Sequence, residues 1–251
     1  MELQTHDNGR YAYLPAIAPY SSGVVATEGH ELVWATLRRP MGLAGGIRHA
    51  AEVACEEAGA ADAVCAFALR NTATLTLEDF AAFNVRYREL LDHNGILAVG
   101  AENPVARTNV VPVVAQPAET VVYGFGFSRP TANADARTFI AAGAAEIRNQ
   151  ELSEDAIVRP GDTSPAGLAA KAAEVLDEME QRMAGLGVSW EEVTAVDVYT
   201  QHDVVGLKDQ LLERLQAGAI HGLRWFPSTP PIAGLDFEMD VRGVRSEIVL
   251  D

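Results

Sequence analysis

The first residue that could do chemistry is Arg107, in the strand-like stretch "VARTNVVPVV". A guanidinium binds a carboxylate through two parallel hydrogen bonds, and the hydroxyl and N–H of Thr108 could add to the same anion. An exposed edge-strand arginine paired with a nearby acid would have the same sequence. The residues alone therefore leave an anion site and a surface ion pair open.

Two carboxylates stand near the end of the chain, in the stretch "LDFEMDVRGV". Glu238 and Asp240 are two residues apart, so they share one face of a strand, and either could orient a water molecule as a general base. An exposed Asp240 paired with Arg242 is the alternative. Arg224 is a second candidate for anion binding, although Trp225 follows it instead of a hydroxyl residue.

Tyr20 lies in "APYSSGVV", a turn that leads into an apolar strand. It could pack at the strand entrance or hydrogen-bond a substrate or a water molecule. Metal-binding spacings such as H-x-x-x-H and C-x-x-C do not occur in the sequence. We therefore expect no metal and no cofactor. The two cysteines, Cys55 and Cys65, are expected to be reduced core thiols.

Composition narrows the classes of partner. The chain has 251 residues, 48% of them apolar, and a net charge of −16, which disfavours nucleic acid and anionic membranes but permits small anionic substrates. The start, "MELQTHDNGR", lacks the apolar run of a signal peptide, and no stretch approaches the ~18 apolar residues of a membrane span. We expect a soluble, cytoplasmic protein.

The apolar periodicities occur in the same order twice. Strand, helix, strand, helix, strand, strand is predicted over 31–37, 45–60, 63–71, 76–95, 106–114 and 120–127. The second half repeats it over 136–147, 163–187, 191–201, 204–218, 223–231 and 235–244. Each strand–helix–strand step lays a helix on one face of a sheet. The other face must be buried against the second half or another subunit.

These motifs resemble those of the Rid/YjgF family, the reactive-intermediate deaminases. "AIAPYSSGVV" resembles its gPYSqAv opening, and "FAAFNVRY" resembles its F..vN..Y helix through Phe80, Asn84 and Tyr87. "VARTNVVPVVAQP" resembles its pARstv segment through Arg107 and Thr108. In the second half, "VTAVDVYTQ" and "FEMDVRGV" resemble two of its strands.

The resemblance implies an α+β fold made of two tandem chorismate mutase-like repeats, each a sheet with two helices on one face. We place the repeats at 1–128 and 129–251. The family implies a homotrimer with sites in the clefts between subunits. It implies hydrolysis of imines or enamines of small carboxylic acids, including aminomuconate-like acids, without metal or cofactor. A diverged carboxylate-binding or interaction module and a chorismatase-like enzyme are the alternatives.

The resemblance also implies roles for the candidate residues. Arg107 would hold the substrate carboxylate, an acid on the last strand of a repeat would activate water, and Tyr20 would close the pocket. In the first repeat that acid should fall near Val122 or Tyr123, and neither is a carboxylate. Asp240 falls at the corresponding place in the second repeat. The sequence thus predicts that the two halves have diverged and that both could contribute to one cleft.

Overall fold

The computed structural model describes residues 2–16, 20–97, 102–133 and 137–251. It contains two β-sheets packed face to face, and each sheet carries two α-helices on its outer face. The α+β fold class predicted from the sequence is confirmed. Within the described ranges, no helix is long and apolar enough to cross a membrane.

Strands and helices alternate along most of the chain. The strands are β1 (Gln4–Thr5), β2 (Tyr11–Leu14), β3 (Gly23–Ala26), β4 (His30–Gly42), β5 (Val64–Arg70), β6 (Ala106–Pro112), β7 (Val121–Pro130), β8 (Phe139–Ala145), β9 (Ala195–Tyr199), β10 (Arg224–Phe226), β11 (Ser228–Thr229), β12 (Glu238–Gly243) and β13 (Ser246–Leu250). The α-helices are α1 (Leu43–Ala58), α2 (Leu77–His93), α3 (Pro165–Leu186) and α4 (Lys208–Arg214).

The two halves have the same topology. The first runs β4, α1, β5, α2, β6, β7, and the second runs β8, α3, β9, α4, β10, β12. The strand order is β6-β5-β7-β4 in one sheet and β10-β9-β12-β8 in the other, so the third, second, fourth and first strands of each half are neighbours. The second and third strands are parallel in both halves. This shared order confirms the predicted pair of repeats.

The terminal strands cross between the repeats. β3, from the start of the chain, pairs with β8 in the sheet of the second repeat. β13, from the end of the chain, pairs in parallel with β4 in the sheet of the first repeat. Each sheet therefore contains strands from both halves of the chain. The boundary between 128 and 129 stays a prediction, and β7 continues to Pro130.

Three apolar layers separate the helices and sheets. One lies between α1, α2 and the first sheet, and another between α3, α4 and the second sheet. The third lies between the sheets and includes Trp34, Cys65 and Ile140, so the prediction of a core thiol is correct for Cys65 but wrong for Cys55, which is exposed on α1. Side chains alternate along a strand, so every strand of this core has one helix-facing and one sheet-facing set of residues.

Local signals in the sequence explain most helix ends. The Thr76 hydroxyl accepts the backbone N–H of Asp79 at 3.0 Å and caps α2. Ser164 caps α3, and Gly187 ends it at φ 70°. α4 is shorter than the helix predicted over 204–218. Its α-helical part ends at Arg214 because Gln216 adopts φ 46°, and the chain continues as a 3₁₀ helix.

Candidate functional site

Arg107 projects from β6 towards the helices. Its neighbour on β5 is Phe67, which belongs to the core between the first sheet and its helices. The side chain of Arg107 meets α2, and only 2% of the residue is exposed. An arginine so deeply buried is not the exposed edge-strand residue that the sequence left open.

Four aromatic rings surround the guanidinium. The distances from its central carbon Cζ to the ring centroids are 4.7 Å for Tyr87, 4.8 Å for Tyr20, and 5.5 Å each for Phe80 and Phe83. These separations are in the range of cation–π attraction. Three rings come from α2, where they recur at helical spacing, and Tyr20 comes from the turn before β3. The cage stabilises the positive charge without using its N–H groups.

The hydrogen-bonding capacity of Arg107 is mostly unused. Nη2 donates to Oδ1 of Asn84 at 2.7 Å, whereas Nε and Nη1 have no partner among the described residues. Burial lowers the pKa of Arg107, although the nearby Tyr87, Tyr20 and Glu238 act to raise it. A buried donor without an acceptor is destabilising, so the arrangement favours an anionic ligand.

Thr108 faces the opposite way, towards the second sheet. Its hydroxyl accepts the backbone N–H of Gly143 at 2.9 Å and is hydrogen-bonded to Asp240. β8 and β12 lose regular pairing here, with a register shift between Met239 and Val241. Consecutive residues of β6 thus contact different parts of the molecule, Arg107 contacting α2 and Thr108 the strands of the second repeat.

Glu238 is the second-repeat acid that interacts electrostatically with Arg107. It is buried at 4% exposure, and its Oε1 lies against the backbone of Gly143 beside Thr108. Burial raises the pKa of Glu238 well above its ordinary value, with further contributions from Asp240 and Glu146. Arg182 and Arg107 oppose this rise. The carboxyl group is therefore favoured in its protonated form.

Asp240 belongs to a hydrogen-bonded network beside this acid. Tyr199 donates to its Oδ2 at 2.8 Å, and Nη1 of Arg242 lies 3.7 Å from its Oδ1. Burial, followed by the charge of Asp197, raises the pKa of Asp240 to about 6. The pairing with Arg242 that the sequence suggested is present, but both residues are buried between the sheets.

Arg224 is placed in different surroundings from Arg107. It neighbours Asp197 on β9, and its Nε donates to Oδ1 of Asp197 at 2.6 Å. Asp197 also accepts from Arg242, which stacks on the inner-face residue Trp34, so Arg224 projects from the inner face of its sheet. Its side chain is 44% exposed. The structure brings together Arg107, Thr108, Tyr20, Glu238 and Asp240, and it places Arg224 apart from them.

Reasoning from the sequence gave no separate role to three residues beside the candidate site. Asn84 and Tyr87 were visible as part of the helix motif, and their i, i+3 spacing with Phe80 at i−4 places them on one face of α2. No sequence pattern pointed to Arg182, because it is one of several charged residues on a long helix. It is 1% exposed, and its Nη1 donates to the carbonyls of Ala142 and Gly143 at 2.9 and 3.1 Å.

Fold and site together define a tandem Rid/YjgF-like protein, in which an arginine of one repeat interacts electrostatically with an acid of the other. The chain matches the 2-aminomuconate deaminase CnbZ family over residues 3–248. It is also 36% identical over 249 residues to a 2-amino-5-chloromuconate deaminase of Comamonas testosteroni, covering 96% of each chain. The chain belongs to the 2-aminomuconate deaminase CnbZ family, and the predicted deaminase class is confirmed.

Solved structures with a similar fold include a chorismatase. That comparison has a TM-score of 0.55 with 13% sequence identity and covers 97% of this chain and 80% of the other. At this identity it shows a shared fold and not a shared reaction. The YjgF gene product of E. coli matches 43% of this chain and 80% of its own, with 16% identity and a TM-score of 0.27.

Proposed function

We propose that this chain hydrolyses 2-aminomuconate, or a close derivative of it, to the corresponding 2-oxo acid and ammonia. The observation that carries the proposal is the buried guanidinium of Arg107, which has two nitrogens without partners among the described residues. One carboxylate of the substrate would satisfy those donors. The family and the relative from Comamonas testosteroni support the choice of an aminomuconate.

The reaction needs a proton and then a water molecule. 2-Aminomuconate is an enamine, so protonation of a diene carbon converts the C–NH₂ group into a C=NH₂⁺ iminium. Water adds its oxygen to that carbon, and a tetrahedral carbinolamine forms. The amine of the carbinolamine then takes up a proton, the C–N bond breaks and nitrogen leaves as ammonia, and the hydroxyl gives up its proton as the ketone forms. One water is consumed, one ammonia is released, and nothing is oxidised or reduced.

Glu238 is suited to both proton transfers. Because its pKa is raised, it holds a proton that it can donate to the diene carbon. The carboxylate left behind can accept a proton from the water that attacks the iminium. The positive charge of Arg107 holds the substrate carboxylate in place during both steps.

The other predicted residues have supporting roles in this proposal. The charge of Asp240 helps to keep the proton on Glu238, and Thr108 links Asp240 to the backbone of Gly143. Tyr20 covers the guanidinium and would move to admit the substrate. We leave Arg224 out of the site, because its side chain is occupied by Asp197.

We also propose that the chain assembles as a homotrimer. The support is the family resemblance together with an edge of the second sheet. β10 is the last strand of that sheet and carries Trp225, which is 41% exposed, and Ile220 just before it is 86% exposed. Exposed apolar residues beside a strand edge are typical of an interface. Light scattering should give three times the chain mass of 26.8 kDa, and a monomer mass would contradict the proposal.

The central experiment follows ammonia and the 2-oxo acid released from 2-aminomuconate by the wild-type protein. We expect one ammonia per 2-oxo acid, at a rate above the uncatalysed hydrolysis. Arg107→Ala should lose this activity, while circular dichroism shows that the variant is folded. A wild-type protein that binds muconate but releases no ammonia above background would show a carboxylate-binding module instead of an enzyme.

A further inference from the structure

Two buried asparagines on the same pair of strands as Arg107 have unused amide groups. Asn71 follows β5 and is 2% exposed, and Asn109 lies on β6 and is 5% exposed. Nδ2 of both residues and Oδ1 of Asn71 have no hydrogen-bond partner within the described ranges. A neutral amide buried in this way reduces stability unless a ligand or water completes its bonds.

Both asparagines lie on the face of the first sheet that carries Arg107. Asn109 is two residues after Arg107, so the alternation of a strand directs both towards α2. Leu69 is the neighbour of Asn109 across the parallel pair and belongs to the helix-facing core. Asn71 is two residues beyond Leu69, and its N–H donates to the carbonyl of Val110 at 2.8 Å. The two amides are therefore diagonal neighbours on adjacent strands.

The spacing along β6 suits a linear dicarboxylate. The Cα atoms of residues i and i+2 of a strand are roughly 6.6 Å apart, and the five carbon–carbon bonds between the carboxylates of an extended six-carbon diacid span roughly 6 Å, so the diacid is about as long as the separation of the two backbone positions. A diacid with one carboxylate on Arg107 can thus lie along the strand with the other near Asn109. Amide N–H groups are suitable donors for a carboxylate and bring no second positive charge into the site.

We infer that Asn71 and Asn109 form a second anion subsite, which binds the far carboxylate of a linear dicarboxylate held at its near end by Arg107. The inference rests on the proposed function, because Arg107 supplies the first anchor. It gives the protein a means of selecting diacids over monoacids. A monocarboxylate of the same length leaves both amides unsatisfied, and that loss is the source of the selectivity.

Binding measurements can test the subsite without turnover. Muconate has carboxylates at both ends of a six-carbon diene, and sorbate has a methyl group in place of one of them. By isothermal titration calorimetry, we expect the wild-type protein to bind muconate about 10- to 100-fold more tightly than sorbate, as hydrogen bonds to a charged group imply. Equal affinities would overturn the subsite while leaving Arg107 as a carboxylate anchor.

Two variants assign the selectivity to the amides. Asn109→Leu and Asn71→Leu keep the volume and remove the donors, so each should weaken muconate binding and leave sorbate binding unchanged. Ser128→Ala is the matched control, since Ser128 is also buried and unpaired among the described residues but lies on β7. A muconate preference that persists in both asparagine variants would overturn the inference. A wild-type protein that binds neither compound would contradict the Arg107 anchor and the proposed function with it.

Discussion

Arg107 and Arg224 lie on equivalent strands of the two repeats, yet their surroundings differ in every respect that matters for binding. Arg107 is buried against α2, and two of its nitrogens have no partner among the described residues. Arg224 is half exposed on the inner face of the other sheet, and Asp197 accepts its Nε–H. An arginine already paired with a carboxylate of its own chain has little capacity left for an external one.

This difference supports the proposal that the two repeats contribute different parts of one site. The first repeat supplies Arg107 and its aromatic cage but has Val122 and Tyr123 where an acid was expected. The second repeat supplies Glu238, which interacts electrostatically with Arg107. The terminal strands also cross between the sheets, so each repeat is hydrogen-bonded to a strand from the other end of the chain. One composite site follows more naturally from this arrangement than two separate ones.

The most direct test of the difference between Arg107 and Arg224 is to remove each arginine in turn. Arg107→Gln should lower kcat/KM for 2-aminomuconate by about 10³-fold, since it removes the charge that binds the substrate carboxylate. Arg224→Gln, the matched control on the second repeat, should change kcat/KM by less than about 3-fold, because it disturbs an ion pair that is half exposed. Equal losses in steady-state kinetics would show that both repeats bind substrate.

The next largest effect is expected from the acid of the second repeat. Glu238→Gln should lower kcat by about 10²- to 10³-fold while muconate binding persists, because a carboxamide cannot transfer the proton. Glu89→Gln, on the exposed face of α2, is the control and should leave kcat unchanged. If Glu238→Gln keeps full kcat, the acid of the reaction lies elsewhere.

The same variant gives a prediction for stability against pH. The pKa of Glu238 is raised in the folded protein, so folding favours the protonated form, and stability is lost as the pH rises above the ordinary carboxyl pKa of 4.5. Gln cannot ionise and avoids this loss. Thermal melts should therefore agree for the two proteins below pH 4.5 and favour Glu238→Gln at higher pH. A wild-type advantage at high pH would contradict the raised pKa.

A smaller effect is expected at the glycine that leaves room for the acid. A Cβ added at Gly143 would overlap Oε1 of Glu238 and lie 2.8 Å from Cγ2 of Thr108, so Gly143→Ala must displace both. We expect kcat to fall about 10- to 100-fold with little change in KM, because the acid moves and Arg107 does not. Gly45→Ala in α1 is the control, since a Cβ there meets nothing within 4 Å. An active Gly143→Ala would argue against Glu238.

Local sequence patterns predicted the helices and strands and an anion site at Arg107. Capping at Thr76, the periodic residues of α2 and the repeated strand order all follow from neighbouring residues, and the motif around Arg107 pointed to an anion site. Features that depend on contacts between residues distant in the sequence could not be predicted from such patterns. The inward direction of Arg224 depends on its register with β9, and the burial of Asp240 depends on the packing of two sheets against each other. Neither leaves a pattern in adjacent residues.

The smallest effect is expected at Tyr20. This residue also distinguishes the two repeats, because the second repeat has "GFSRPTANAD" where the first has its Pro-Tyr-Ser turn. The Tyr20 ring lies 4.8 Å from Cζ of Arg107 and stabilises the cation by its face. Tyr20→Ala should raise KM about 5-fold, which corresponds to about 1 kcal/mol of cation–π attraction. Tyr20→Phe retains the ring and should keep the wild-type KM in the same assay. If Tyr20→Phe is as impaired as Tyr20→Ala, the hydroxyl and not the ring is what the substrate uses, and Tyr20 would then be a direct contact of the substrate instead of a cover for its anchor.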